Sequence, residues 1–237
     1  MSGAPDALTP HARAYRGRVI RMVEAQHRIS TNRLADGAGE QALLEALADE
    51  VKPLLPPAAQ ALPWLLAAPF RYGLGRPSRF RSADTLPGIF YAAEDVETAV
   101  SETAHWRLVA FSRSPGFARP RTPTPMSAFS VVVDTPAALD LTAAPFDAPD
   151  RHGGEPRWDD PDDYRATQAL GAAARAAGIA ALRAPSARRG GGVNVAVLDP
   201  AALVPPPRPH SSWAFLAVDN GLLATREMSD QALRFAL

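Results

Sequence analysis

The chain has 237 residues, of which 46% are apolar and 21% charged, and its formal net charge is zero. This composition is that of an ordinary globular protein with an ample core, and the neutral charge argues against nucleic acid as the main binding partner. The absence of cysteine excludes disulfides and thiolate metal sites. The sequence has neither an apolar run of membrane-spanning length nor the apolar core of a signal peptide, so we expect a cytoplasmic protein without membrane contact.

The N-terminal quarter combines polar, helical and proline-rich segments. Residues 1–14 are small and polar, which predicts a loose arm. A leucine stripe predicts a helix over 36–52, which ends at Pro53. The proline-rich and apolar stretch 53–70 then predicts a packed loop with one helical turn.

The run of residues 15–25 predicts the first strand. In one register Arg21 faces inward between Val19 and Val23, which is costly unless the guanidinium meets an anion. In the other register Arg21 faces solvent, and its two neighbours face the core. The spacing allows both arrangements equally.

The pattern of residues 71–107 predicts a basic loop, a strand at about 88–93 and a helix that begins near Asp95. Glu102 lies one step off the apolar face of this helix, and Tyr91 lies at the end of the strand. A carboxylate beside several guanidinium groups suits a substrate with both sugar hydroxyls and phosphates. The loop contributes four arginines: Arg71, Arg76, Arg79 and Arg81.

Each of these residues also has a purely structural interpretation. Arg79 and Arg81 could be solvated loop charges, and Tyr91 could belong to the core. Glu102 could be a surface residue paired with Arg107. The residue types alone leave these alternatives open.

The C-terminal half predicts further strands, one helix and a hairpin. The helix covers about 161–177 and would turn Tyr164 and Gln168 inward. The last segment, 205–237, predicts a polyproline spacer, a hairpin and a short helix. In detail, we expect strands at 126–134, 138–141, 179–184 and 193–198, the spacer at 205–209, the hairpin at 213–227 with its turn at Asn220 and Gly221, and the helix at 229–235.

Several short motifs together resemble the RES-domain family, which is named for an arginine, a glutamate and a serine. The resemblance spans roughly residues 21–200. Phe80 replaces the family's usual tryptophan, and the proline-rich insertion and the C-terminal hairpin are further departures. The motifs are Ser-Arg-Phe at 78–80, Gly-Ile-Phe-Tyr-Ala-Ala-Glu at 88–94, Thr-Ala-Val-Ser-Glu at 98–102, Pro-Ser-Ala-Arg at 185–188, and a glycine loop before Asn194.

The resemblance implies a RES domain over 15–204 with an α+β fold: a small mixed β-sheet with flanking helices, related to ADP-ribosyltransferases. It also implies NAD as the substrate, without a metal or a separate cofactor. Glu102 would stabilise the ribosyl cation, while Arg79 and Arg21 would bind the pyrophosphate. The other implied site residues are Tyr91 at the nicotinamide, Ser186 and Asn194 at the ribose or amide, and Arg71, Arg81 and Gln168 along the substrate.

Three functions agree with this resemblance. The first is an NAD glycohydrolase or phosphorylase that acts as the toxin of a bacterial toxin–antitoxin pair, with an Xre-type helix-turn-helix antitoxin as partner. The second is a mono-ADP-ribosyltransferase with a protein or small-molecule acceptor. The third is a non-catalytic binding module, which the retained arginine, tyrosine, glutamate and serine disfavour.

Overall fold

The computed structural model describes residues 5–25, 37, 39–40, 43, 47, 52–73, 75, 77–114, 121–147 and 158–236. Most of the predicted helix at 36–52, and Arg76, lie outside these residues. Among the described residues, no helix is both long and apolar enough to cross a membrane.

The described strands form one eight-stranded sheet in the order β1-β2-β5-β4-β3-β6-β7-β8. A further pairing between β1 and β3 closes the first five strands into a ring. The pairing of β3 with β4 is parallel and the others are antiparallel, so the predicted mixed α+β class is confirmed. The strands are β1 Arg13–Glu24, β2 Phe90–Ala93, β3 Thr124–Asp140, β4 Ala181–Pro185, β5 Val193–Val197, β6 Leu203–Val218, β7 Gly221–Arg226 and β8 Ala232–Ala236.

The helices cover the sheet, and the longest described helix, Val96–Ser112, follows β2. Its N-cap is Asp95, whose carboxylate accepts the Thr98 N–H at 2.8 Å and the Thr98 hydroxyl at 2.6 Å. This cap satisfies one of the free amides of the first turn, as the sequence predicts. The described helices are α1 Pro5–Leu8, α2 Trp64–Arg71, α3 Val96–Ser112 and α4 Arg165–Ala176.

Apolar side chains in the described part of the chain form three buried clusters around the sheet. One joins ring strands to α2 through Val19, Phe90 and Phe70. A second lies under α4 and contains Leu170, and a third lies under α3 and contains Val100. Because α3 and the ring strands are each held by such a cluster, side chains on their surface are rigidly positioned.

The N-terminal segment and the long strand β3 differ from the sequence prediction. Residues 5–14 are not a loose arm, since Leu8 is only 4% exposed and packs in the cluster under α4. The two strands predicted at 126–134 and 138–141 are parts of one continuous strand. The intervening residues stay extended because β1 pairs along this edge, from Arg13 opposite Ala138 to Glu24 opposite Met126.

The C-terminal prediction is wrong in three respects. Residues 205–209 belong to β6, which pairs with β3, and do not form a free spacer. The hairpin turn is Asp219–Asn220, because Val218 already pairs with Gly221. The predicted helix at 229–235 is instead β8, whose alternating Leu233 and Phe235 pack on the cluster under α3.

Gly221 itself serves a packing purpose. A Cβ atom at this position would lie 1.9 Å from the carbonyl oxygen of Phe235. Glycine therefore permits the close approach of β8, which the sequence signal of an Asn-Gly turn did not reveal.

Candidate active site

A cavity of about 360 Å³ lies between β1, β2 and α3, and its rim is completed by the loops near residues 78–80, 164 and 187–188. Its wall contains charged and aromatic side chains in an otherwise apolar lining. Such a combination is typical of small-molecule sites. The polar and aromatic lining residues are Arg21, Ser78, Arg79, Phe80, Tyr91, Glu102, Thr103, Trp106, Tyr164, Arg188 and Asn194.

Glu102 projects from α3 into this wall and is held by two donors. Its Oε1 accepts the Ser186 hydroxyl at 2.6 Å and the side-chain amide of Asn194 at 2.5 Å. No hydrogen bond from a described residue falls on its Oε2. The alternative pairing with Arg107 does not occur, because Arg107 contacts Glu24 at 2.6 Å. Glu102 is therefore an oriented carboxylate with one oxygen free for a ligand.

Ser186 acts as a support for Glu102 and does not itself line the cavity. Its Oγ accepts the backbone N–H groups of Arg188 at 3.1 Å and Arg189 at 3.2 Å. Its own N–H donates to the Gly192 carbonyl at 2.8 Å, which closes the loop 186–192 on itself. Because the hydroxyl oxygen already accepts two hydrogen bonds, the Ser186 O–H acts towards Glu102 as a donor.

The same loop contacts the first turn of α3 through an ion pair. The Arg189 guanidinium contacts Glu97 Oε2 at 2.6 Å, and the side chain of Gln231 donates to Glu97 Oε1 at 3.0 Å. A Cβ at Gly192 would lie 2.4 Å from the Thr98 hydroxyl oxygen, so glycine is needed for this close contact. Loop and helix therefore present Ser186 and Glu102 in a fixed relation.

Arg79 occupies the tip of a tight turn. Ser78 and Arg81 exchange both backbone hydrogen bonds, at 2.8 and 3.1 Å, which leaves Arg79 and Phe80 as the two turn residues. Arg79 is only 8% exposed, and its Nη2 donates to the carbonyls of Trp158 and Pro185. Burial lowers the pKa of Arg79, while Glu102 acts in the opposite direction. Arg79 is therefore a buried cation near the carboxylate rather than a solvated loop charge.

Tyr91 and α4 hold this turn against the cavity. The Tyr91 hydroxyl lies 2.9 Å from Ser78 Oγ and accepts the Phe80 N–H at 3.1 Å. Burial raises the pKa of Tyr91. Gln168 donates to the Ser78 carbonyl at 3.1 Å, and Gly171 lets α4 approach the backbone of Phe80, where a Cβ would lie 2.0 Å from the carbonyl oxygen. Gln168 thus supports the turn and does not line the cavity.

Arg21 adopts the inward register and lines the cavity. Its Nη1 donates to the Tyr91 carbonyl at 2.5 Å, and its guanidinium lies 5.1 Å from the centre of the Phe90 ring. Burial lowers the pKa of Arg21 to about 10. Its Nε is buried without a hydrogen-bond partner, and no carboxylate of the described chain pairs with it. Arg21 is half-buried, and its strand neighbours Ile20 and Met22 are buried, because β1 is covered on both faces.

Arg71 and Arg81 do not line this cavity. Arg81 is buried and donates to the carbonyls of Gly73, Ser82 and Thr85, so it stabilises the loop that precedes β2. Arg71 lies at the end of α2. The tight turn at 79–80 reverses the chain, which sends the neighbouring arginines Arg79 and Arg81 into different surroundings.

Trp106, Tyr164 and Arg188 line the cavity, although the sequence predicted no role for them in the site. Trp106 follows Glu102 by four residues on α3, which is the spacing of side chains on one helical face. Arg188 is the arginine of the Pro-Ser-Ala-Arg segment, and its Nη2 donates to the Tyr164 hydroxyl at 2.9 Å and the Pro161 carbonyl at 2.7 Å. The spacing of Trp106 from Glu102 and the Pro-Ser-Ala-Arg segment were both visible in the sequence and could have indicated these residues.

The described residues include no group of three or more histidine, aspartate or glutamate side chains that could hold a metal ion.

The chain is similar to known proteins in its fold and in its sequence family. A chain in the crystal structure of the M. tuberculosis MbcT–MbcA toxin–antitoxin complex has a similar fold, with a TM-score of 0.52 over 90% of this chain and 92% of that chain, at 16% identity. No curated protein matches the chain significantly. The family model of the RES domain matches residues 55–216, a span that includes the Arg79 turn, Glu102 and the loop of Ser186. The chain therefore belongs to the RES domain family.

Proposed function

We propose that this protein consumes NAD by cleaving the bond between nicotinamide and ribose, by hydrolysis or phosphorolysis. The observation that carries the proposal is the geometry of Glu102, whose Oε1 is fixed by Ser186 and Asn194 while Oε2 accepts no bond from a described residue. Membership of the RES domain family supports the same substrate. The relation to ADP-ribosyltransferases that the resemblance implies is part of this proposal.

The reaction needs a carboxylate in this position. Departure of nicotinamide develops positive charge on the ribose, as in glycoside cleavage. A fixed carboxylate beside the ribose stabilises that charge without having to reorganise, and its free oxygen can accept a ribose hydroxyl. Nicotinamide leaves as a neutral molecule because its ring nitrogen carries a positive charge in NAD. Tyr91, on the cavity wall, offers an aromatic surface for the nicotinamide.

The two arginines of the cavity wall suit the pyrophosphate. Arg21 and Arg79 both line the cavity, and each has a buried Nε without a partner. A buried cation without a counter-ion is costly, and a bound phosphate would offset that cost with charge-assisted hydrogen bonds. In this proposal the pyrophosphate lies between these two side chains.

We further propose that the protein is the toxin of a bacterial toxin–antitoxin pair, with an Xre-type antitoxin as its partner. The similarity in fold to a chain of the MbcT–MbcA toxin–antitoxin complex supports this role. Expression of the wild-type chain alone should arrest growth, and expression of Glu102→Gln should not. Growth arrest by both proteins would show that the toxicity does not depend on the proposed reaction at Glu102.

The direct test incubates the purified protein with NAD, with and without inorganic phosphate, and identifies the products by mass. Free ADP-ribose indicates hydrolysis, and ADP-ribose 1″-phosphate indicates phosphorolysis. ADP-ribose attached to an added protein or small molecule indicates the alternative transferase activity. NAD that stays intact under all these conditions contradicts the proposal.

A further inference from the structure

We propose that three residues at the rim of the cavity, Trp106, Tyr164 and Arg188, bind the adenylate half of the substrate. This inference rests on the proposed NAD-consuming function and assigns a second subsite next to Glu102. It concerns three residues that line the cavity and have no part in the bond cleavage described above.

The size of the cavity leaves part of a dinucleotide outside. Its volume of about 360 Å³ is near the lower end of the roughly 300–1,000 Å³ that enclose drug-sized ligands. NAD consists of two nucleotides and is larger than such a ligand. The half that contains the breaking bond must reach Glu102 inside the cavity. The adenylate half must then lie across the rim.

Trp106 has the properties of a stacking platform. It lines the cavity although the residue is 45% exposed, and it lies one helical turn beyond Glu102 on α3. Its ring meets the neighbouring His105 edge to face, with centroids 5.5 Å apart, so no aromatic neighbour stacks face to face on it within the described chain. An exposed indole face at a cavity mouth is suited to a flat base such as adenine.

Arg188 supplies the matching charge. Its Nη2 is held by the Tyr164 hydroxyl and the Pro161 carbonyl, which orients the guanidinium at the rim. No carboxylate in the described part of the chain forms an ion pair with it. An oriented guanidinium without a counter-ion favours a phosphate, and here it would meet the phosphate nearest to the adenosine.

The test measures binding by calorimetry with ADP and, separately, with nicotinamide mononucleotide. Trp106→Ala should weaken ADP binding at least about fivefold, the lower end of the effect of losing a base–aromatic stack. Binding of nicotinamide mononucleotide should change less than about twofold, within the scatter of ordinary surface substitutions. Trp106→Phe should retain most of the ADP affinity. Arg188→Ala should also weaken ADP more than nicotinamide mononucleotide.

The matched control is Trp64→Ala. Trp64 is also an exposed tryptophan at 59%, but it lies on α2 and does not line the cavity. Its removal should leave both affinities unchanged. The proposed adenylate subsite would be contradicted if Trp106→Ala affected both ligands equally or affected neither. It would also be contradicted if the wild type did not bind ADP. These binding measurements do not depend on turnover. If Trp106→Ala weakened ADP binding selectively but the wild type did not cleave NAD, only the proposed reaction would be contradicted.

Discussion

Ser186 and Glu102 are 84 residues apart in the chain, yet the serine hydroxyl lies 2.6 Å from Glu102 Oε1. Asn194 donates to the same oxygen at 2.5 Å. Two donors on one oxygen fix the plane of the carboxylate, and the other oxygen stays available for the substrate. The serine and asparagine thus position the glutamate, and the glutamate is the group that meets the ribose.

Glu102→Gln should abolish NAD consumption while the fold survives. Glutamine keeps the size of the side chain, and its carbonyl oxygen can still accept hydrogen bonds from Ser186 and Asn194. It lacks the negative charge that stabilises the ribosyl cation, and the loss should be at least about 10²-fold in turnover. Steady-state NAD consumption measures the loss, and circular dichroism checks the fold. Glu227→Gln, an exposed change outside the cavity, is the control. Near wild-type turnover in Glu102→Gln would refute the assigned role.

The sequence predicted the parts of the site that lie within a single local element. The helix of Glu102 has a capping aspartate and an apolar stripe, and Tyr91 lies in a short strand just before it. The contact of Glu102 with Ser186 could not be predicted from spacing, because it depends on the closure of the sheet. The family resemblance implied that both residues contact the substrate, whereas in the structure Ser186 supports Glu102 and does not line the cavity.

Other features depended on tertiary context in the same way. Composition and spacing do not distinguish Arg79 from Arg81, although the Ser-Arg-Phe motif contains only Arg79. The tight turn places Arg79 on the cavity wall and leaves Arg81 to stabilise the loop. The segment at 229–235 is short enough to fit either a helix or a strand. Pairing with β7 makes it a strand, since tertiary contacts outweigh weak local propensity.

Arg79→Ala should weaken NAD binding and also lower stability. It removes a cation from the cavity wall and leaves the carbonyls of Trp158 and Pro185 without their donor. We expect each effect to be about 1–3 kcal/mol. Arg79→Lys should not restore full affinity, because an ammonium group cannot reproduce the planar fork. Calorimetry with NAD and thermal melting measure the two effects.

The control for this prediction is Arg81→Ala. Arg81 is equally buried but braces the preceding loop and does not line the cavity. Its removal should lower the melting temperature and leave the NAD affinity of the folded protein unchanged. If Arg81→Ala weakened NAD binding as much as Arg79→Ala, the substrate would contact the loop rather than the turn.

His105 should titrate below its ordinary pKa of about 6.5. Burial lowers the pKa of His105 and the nearby Arg188 lowers it further, while Glu102 and Asp162 act in the opposite direction. The unfolded chain therefore takes up this proton first as the pH falls, so stability decreases from neutral to acidic pH. The melting temperature should therefore fall less in His105→Gln than in the wild type when the pH is lowered from about 8 to about 5, a range that spans the ordinary histidine pKa.

Removal of Arg188 gives an internal check of this prediction. Arg188→Ala should raise the pKa of His105, measured by NMR titration. The pKa of His210 is also lowered by burial, but the arginines that act on it are Arg226 and Arg18. Its titration should therefore not change in Arg188→Ala. A shift of both histidines, or of neither, would contradict the proximity of Arg188 and His105.

Arg21→Met should depress activity and leave the stability of the ligand-free protein equal or higher. The guanidinium is buried on the cavity wall, and no described carboxylate neutralises it. Burial lowers its pKa to about 10, so it remains charged at neutral pH and raises the free energy of the folded state. Methionine retains most of the aliphatic stem and removes the charge. NAD should raise the melting temperature of the wild type more than that of the variant, because only the wild type gains an ion pair with the pyrophosphate.

The comparison that isolates this effect is Arg18→Met, a change of the same kind on the same strand. Arg18 is exposed and does not line the cavity, so its replacement should change the stability by less than about 0.5 kcal/mol and leave turnover unchanged. Thermal melting with and without NAD, combined with the NAD consumption assay, distinguishes the two variants. Lower activity of Arg21→Met together with an equal or higher melting temperature would indicate that Arg21 serves ligand binding rather than stability. A fully active Arg21→Met protein with the wild-type NAD-induced shift would show that the pyrophosphate binds without this arginine.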